Sequence, residues 1–147
     1  MKREILFRGQ STDSKEWIEG EFSNLFSKAD ICLWTSDDGK SCLRYYPVKE
    51  ETVGEYIQRT DKHGKKVFEG DVLRFLFRNE KEYYLVEYVD ENMTCGIFLR
   101  DFQTMRLYPI FSQDIFKESI EVIGNRWDMT TDDMVKLGFI KSEVRHG

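Results

Sequence analysis

The chain has 147 residues, enough for one domain or one domain with a smaller subdomain. With 40% hydrophobic and 14% aromatic residues it can build a core without disulfides or metals, and two prolines with no low-complexity run exclude general disorder. A net charge of −5 drawn from 22 basic and 27 acidic residues argues against a general binder of phosphate backbones, and is too mixed for a carboxylate mimic of DNA.

In chain order, the first extended segment reads over Lys2 to Arg8 and a polar turn follows at Ser11-Thr12-Asp13-Ser14. A second strand runs from Glu16 to Phe22. Ile31 to Thr35 and Ser41 to Tyr46 flank an Asp38-Gly39 pair, a two-residue hairpin signal. Thr52 to Arg59 is extended and leads into the most informative stretch, Thr60 to Phe75. There Asp61 is suited to accept backbone amides two residues on, and Gly64 takes positive φ at low cost. Val67-Phe68 forms a short strand, and Gly70 interrupts it as a bulge or bend would. Leu73, Phe75 and Phe77 then alternate with Val72, Arg74, Leu76 and Arg78, giving one apolar and one mixed face.

Downstream, Tyr83 to Val89 and Thr94 to Arg100 form a second hairpin around Asp90-Glu91-Asn92, with Tyr84, Val86 and Tyr88 on one face. Gln103 to Phe111 reads as extended and Ile120 to Gly124 as the closing strand. Helix signals are short. Ser112 to Ser119 suits one or two turns; Thr130 or Thr131 caps a helix containing 132–137, with Gly138 as its stop. The fold expected is mainly β, a barrel or sandwich with one or two short helices. Its central part is analogous to SH3-like barrels. Residues 1–147 are taken as a single domain, with an N-terminal β subdomain of about residues 1–50 packed on the rest. Lys141 to Gly147 is expected to fray.

Three cysteines, Cys32, Cys42 and Cys95, show no spacing framework and fit a reducing compartment. Cys32 and Cys42 sit on the two arms of the first hairpin, where the choice is a facing pair or two free thiols, the latter preferred. The opening Met-Lys-Arg-Glu leads into only three apolar residues, so no signal peptide is expected. No apolar run approaches bilayer length, and a cytoplasmic location without membrane contact is expected.

No reactive constellation stands out. The soft ligands Cys32, Cys42, Cys95, His63 and His146 lack close paired spacing for zinc. Glu69 and Asp71, two apart on one face, suit a hard cation, but the preferred reading has their carboxylates bonded to backbone amides. His63 lies in a polar turn and His146 in the tail, and neither a nucleophile elbow nor a P-loop occurs. Expected are no catalytic residues, no cofactor and no metal. A basic group, Lys62, Lys65, Lys66, Arg74 and Arg78, forms the candidate nucleic-acid contact set, with Tyr83 and Tyr84 as stacking surfaces or, more plainly, core. Trp17, Trp34 and Trp127, with the many Phe and Tyr, suggest a subunit interface beside simple burial.

Three blocks carry a family resemblance: Arg3 to Gly9 (R-E-I-L-F-R-G), Tyr56 to Phe75, and Ile120 to Asn125 (I-E-V-I-G-N). In the central block a D-K-x-G-K turn precedes an E-G-D triplet and an apolar strand, with Asp61, Lys62, Gly64, Lys65, Glu69, Gly70 and Asp71 in those places. The sequence resembles the YopX-type proteins of bacteriophages and prophages over nearly its whole length. It departs where the family often has Gly-Leu before the turn aspartate, since Asp61 here follows Thr60 directly, and at Gln10-Ser11-Thr12-Asp13 in place of a Trp-Asp turn. The resemblance implies a phage-associated, mostly β protein with no catalytic residues to carry over. Its signature positions are Asp61, Gly64, Glu69, Gly70, Asp71, Gly124 and Asn125. The functional expectation is a non-enzymatic module that binds itself (a homo-oligomer) or a host or phage protein, with a nucleic-acid-binding accessory protein as the alternative.

Overall fold

A computed structural model describes residues 3–138. Expectations that fall on Lys2, on His146 and on the segment from Lys141 to Gly147 lie outside the described residues. The chain divides into two compact units, one ending at Gln58 and one beginning at Arg59.

The first unit is an antiparallel meander of β1 (Phe7–Gln10), β2 (Trp17–Ser23), β3 (Asp30–Asp37) and β4 (Lys40–Pro47), with the start of β5 (Gly54–Thr60) on the other side of β1, in spatial order β4-β3-β2-β1-β5. The β3–β4 hairpin turns on Asp38 and Gly39 at φ 48° and 77°, the left-handed geometry that an Asp-Gly pair supplies. The Ser11 side chain accepts the amides of Asp13 at 3.2 Å and Ser14 at 3.3 Å, fixing the polar turn after β1. Ala29, Ile31 and Val48 form the buried core, with Phe7, Ile18 and Val53 packed on it. Cys32 faces Tyr45 and Cys42 faces Thr35 across the hairpin, so the two sulfurs are not opposed, and all three cysteines are free thiols.

The second unit holds β6 (Lys66–Phe68) and an antiparallel sheet of β7 (Asp71–Phe77), β8 (Glu80–Glu91), β9 (Thr94–Asp101), β10 (Leu107–Tyr108) and β11 (Ile120–Asn125), ordered β10-β9-β8-β7-β11. Helix α1 spans Gln113–Ser119 and α2 spans Thr131–Lys136. Thr130 caps α2 through a full capping box with Asp133. Val72, Leu85, Phe102 and Met134 make its core. Leu73 is fully buried on the apolar face of β7 as expected, but Val72 on the mixed face is equally buried because Met134 of α2 covers it. The mixed face becomes wet only from Arg74 outward.

The mainly β reading with two short helices is borne out, and both sheets are open rather than closed on themselves. Two local expectations are corrected. Arg78 is not on a strand: with Asn79 it forms the β7–β8 turn at φ 52° and 67°. Gln103 to Phe111 is not one extended segment: the Asp101 carboxylate takes the amides of Gln103 at 2.7 Å and Thr104 at 3.1 Å, curling the chain so that only Leu107–Tyr108 pairs with β9. Among the described residues no helix is long and apolar enough to cross a membrane.

Candidate functional site: signature turn, cationic cleft and exposed aromatic edge

The signature positions are occupied by backbone clamps. Asp61 is 3% exposed. Its Oδ1 accepts the amides of His63 and Lys65, each at 2.9 Å, and its Oδ2 accepts that of Val122 at 3.0 Å. Gly64 closes the turn at φ 80°, its amide bonded to the Asp61 carbonyl at 2.9 Å. The Lys62 amide donates to the Ile120 carbonyl at 2.9 Å, so the turn occupies the outer edge of β11. Asp71, 1% exposed, accepts the Phe68 amide at 2.8 Å. Gly70 between Glu69 and Asp71 takes φ 95°, and its own amide reaches the Val86 carbonyl at 2.7 Å. Gly124 marks a bulge in the β11–β7 register. Asn125 Oδ1 accepts the amides of Trp127 at 3.0 Å and Asp128 at 2.9 Å. Asp71 thus holds a backbone amide, as expected for its place in the E-G-D triplet, and Asp61 does the same in the preceding turn. Among the described residues no group of three or more His, Cys, Asp or Glu is placed to hold a metal ion.

A charged cleft lies on the wet face of β7. Antiparallel register sets Arg74 opposite Glu121 on β11 and opposite Tyr83 on β8, and sets Leu76 opposite Lys81. Lys62, Arg74, Leu76, Lys81, Ser119 and Glu121 line a cavity of about 160 Å³. The Glu121 carboxylate sits between an Arg74 guanidinium and the His63 ring, whose Nε2 is 2.9 Å from Oε2. The hydrogen bond with His63, then Arg74, holds its pKa below the ordinary carboxylate range against a modest desolvation penalty. Beyond Lys81 a larger cavity of about 380 Å³ is lined by Glu80, Glu82, Asp101 and Gln103 besides Tyr83 and Lys81 itself.

Of the candidate nucleic-acid contacts, Lys62 and Arg74 meet at the cleft. Lys65 donates its amide to Asp61 in the turn, Lys66 opens β6, and neither lines the cleft. Arg78 lies with its guanidinium 5.0 Å from the Phe77 ring. Tyr84 is core: its ring packs edge-on against Tyr108 and Phe111, and its hydroxyl donates to Glu82 at 2.5 Å. Burial and that acidic partner push its pKa up. Sequence reasoning missed Lys81, Ser119 and Glu121. The signal for Lys81 was the alternation of β8 opposite β7, visible only once Arg78-Asn79 is recognised as the turn, and Glu121 enters through the pairing of β11 with β7.

A second surface lies on the first unit. Trp34 faces Leu43 across the β3–β4 hairpin, with Cys32 and Tyr45 the next pair on that face. Trp34 is 69% exposed and Phe26, packed edge-on 4.7 Å from Tyr45, is 70% exposed. Trp17 lies instead beneath the Arg8 guanidinium, 4.7 Å from its ring centre.

With this geometry in hand, comparison with known proteins gives three findings. The family model described as YopX protein matches residues 6–130. No curated protein matches the chain. The crystal structure of protein EF1440 from Enterococcus faecalis is similar at 21% identity and a TM-score of 0.49, over 84% of this chain and 94% of that one.

Proposed function

The chain belongs to the YopX family, and we propose that it is a cytoplasmic, phage- or prophage-encoded, non-enzymatic module that assembles with a second copy of itself through the β4 edge. The observation that carries this reading is the cross-strand pair of Leu43, on the outermost strand β4, and Trp34, on β3 beside it. A sheet edge eight residues long offers a row of main-chain donors and acceptors to another strand. Proteins that stay apart blunt such an edge with charge or proline; β4 carries only Lys40 and Arg44, with Pro47 at its very end. An indole 69% exposed beside it adds an apolar anchor of the kind that concentrates at interface centres. A two-fold axis through β4 brings the same patch of both copies together, which is the simplest closed assembly.

The nucleic-acid alternative calls for Lys62, Lys65, Lys66, Arg74 and Arg78 in one stripe, and it draws less support. Lys65 and Lys66 stand away from the cleft that holds Lys62 and Arg74, and Arg78 lies over Phe77. The test is analytical ultracentrifugation of the protein alongside Trp34→Glu and Leu43→Glu, in buffers of low and high salt. A dimer that falls to monomer in both variants and persists in salt is expected. A monomeric wild type at high micromolar concentration removes the self-assembly reading.

A further inference from the structure

The cleft around Glu121 is independent of the β4 edge, and its composition is uneven. Three cationic residues, Lys62, Arg74 and Lys81, and Ser119 line a space of about 160 Å³, against a single carboxylate. In a chain of net charge −5 this is a local excess of positive charge. Two of the cations sit on the two arms of one hairpin and are set by register: Lys81 by its pairing with Leu76, and Arg74 by its pairing with Glu121 of the more distant β11. Lys62 is fixed by its amide bond to the Ile120 carbonyl. Glu121 engages one nitrogen of the Arg74 guanidinium, a group with five N–H donors in all.

The surroundings limit what can enter. The adjoining cavity beyond Lys81 presents Glu80, Glu82 and Asp101. A strand of nucleic acid would have to lay successive phosphates along those carboxylates. One isolated phosphoryl group meets only the cationic part. The space of about 160 Å³ is roomy enough for one tetrahedral anion.

We propose that this cleft is a binding site for the single phosphoryl group of a small phosphorylated molecule, held by Lys62, Arg74, Lys81 and Ser119. Glu121 orients Arg74 and weakens the site by its own charge. The probe is inorganic phosphate added to the full-length protein at constant ionic strength, followed by amide NMR shifts. Saturable shifts confined to Lys62, Arg74, Lys81 and Ser119 are expected. Lys81→Glu should abolish them at an unchanged melting temperature. Glu121→Gln should tighten phosphate binding by about tenfold, since it removes a like charge from the pocket wall; a purely structural role for Glu121 would instead weaken or leave it. Lys62→Gln, at an exposed position, should weaken binding and serves if Lys81→Glu fails to fold. Linear shifts equal to those produced by chloride, or binding that survives both lysine changes, would overturn the site. An unphosphorylated oligonucleotide that shifts the same residues at lower concentration than phosphate would overturn the restriction to a single phosphoryl group.

Discussion

The Asp61 carboxylate accepts the Val122 amide across sixty-one positions of sequence, at 3.0 Å, while its other oxygen holds the His63 and Lys65 amides of its own turn. One buried side chain therefore joins a tight reversal to the outer edge of β11. The turn does for that edge what a further strand would do, because it takes up main-chain groups that would otherwise face water or another chain.

Removing that carboxylate leaves three partly buried amides without their acceptor. Asp61→Ala is expected to cost about 1–3 kcal/mol, from the loss of three partly buried hydrogen bonds. Asp61→Asn should be nearly as costly, because its amide nitrogen would oppose the Val122 N–H. Denaturant unfolding checks both. A loss below about 1 kcal/mol in each would show that the turn does not anchor β11.

What sequence made legible here is mostly short-range chemistry. Asp38-Gly39, Asp61 with Gly64, and Thr130 with Asp133 each carry their geometry within five residues, and each sits where expected. The Arg78-Asn79 turn escaped notice because no glycine announces it, although asparagine tolerates the left-handed region. The curl at 101–105 escaped because it depends on Asp101 accepting amides ahead of it, in a segment whose apolar residues read as strand. The cleft was half visible: the lysines of the turn can be read directly, but Lys81 and Glu121 join them only through strand register. Trp34 illustrates the opposite difficulty. A tryptophan in an alternating strand reads as core until the sheet order shows that its strand lies next to the edge.

Gly20 is expected to tolerate no side chain. It lies in β2 with ordinary strand geometry, yet a Cβ built there would run into the Cys32 carbonyl oxygen and press on Ile31. Both obstacles belong to β3, and the first is backbone, which cannot rotate away. Gly20→Ala should therefore part β2 from β3 and destabilise the first unit by about 1–3 kcal/mol. Amide hydrogen exchange reads this as faster exchange in β2 and β3. Unchanged protection there would contradict the close approach.

The three thiols should differ in reactivity. Cys42 and Cys95 are exposed, whereas Cys32 is buried beside Asp30 and Glu21, and desolvation first, then Glu21, raises its pKa. The thiolate is the reacting form, so both access and ionisation protect Cys32. Titration of the folded protein with a thiol reagent at neutral pH should give two fast equivalents and a third only on unfolding. Tyr88, 3.2 Å from the Cys95 sulfur, shares a hydrogen bond with it, so Tyr88→Phe should change the rate at Cys95 alone. Three equal fast equivalents would place Cys32 at the surface.

Glu121 gives the pH dependence. Its folded-state pKa lies below the ordinary value because the charged form is favoured by His63 and then by Arg74. A carboxylate shifted in that direction adds stability that is fully present above the unfolded pKa, near 4.3 for glutamate in rough terms, and that is lost as pH falls through the lowered folded value. Wild type should therefore exceed Glu121→Gln above the unfolded pKa, and the margin should close as pH falls below about 4. The pair is partly solvated, so the margin should stay under about 1 kcal/mol. His63→Ala should move the Glu121 titration, followed by the carboxyl carbon in NMR, back toward the ordinary range, since the largest lowering cause is then gone. A margin that widens on acidification would mean that Glu121 is held as the neutral acid, contrary to its contacts with Arg74 and His63.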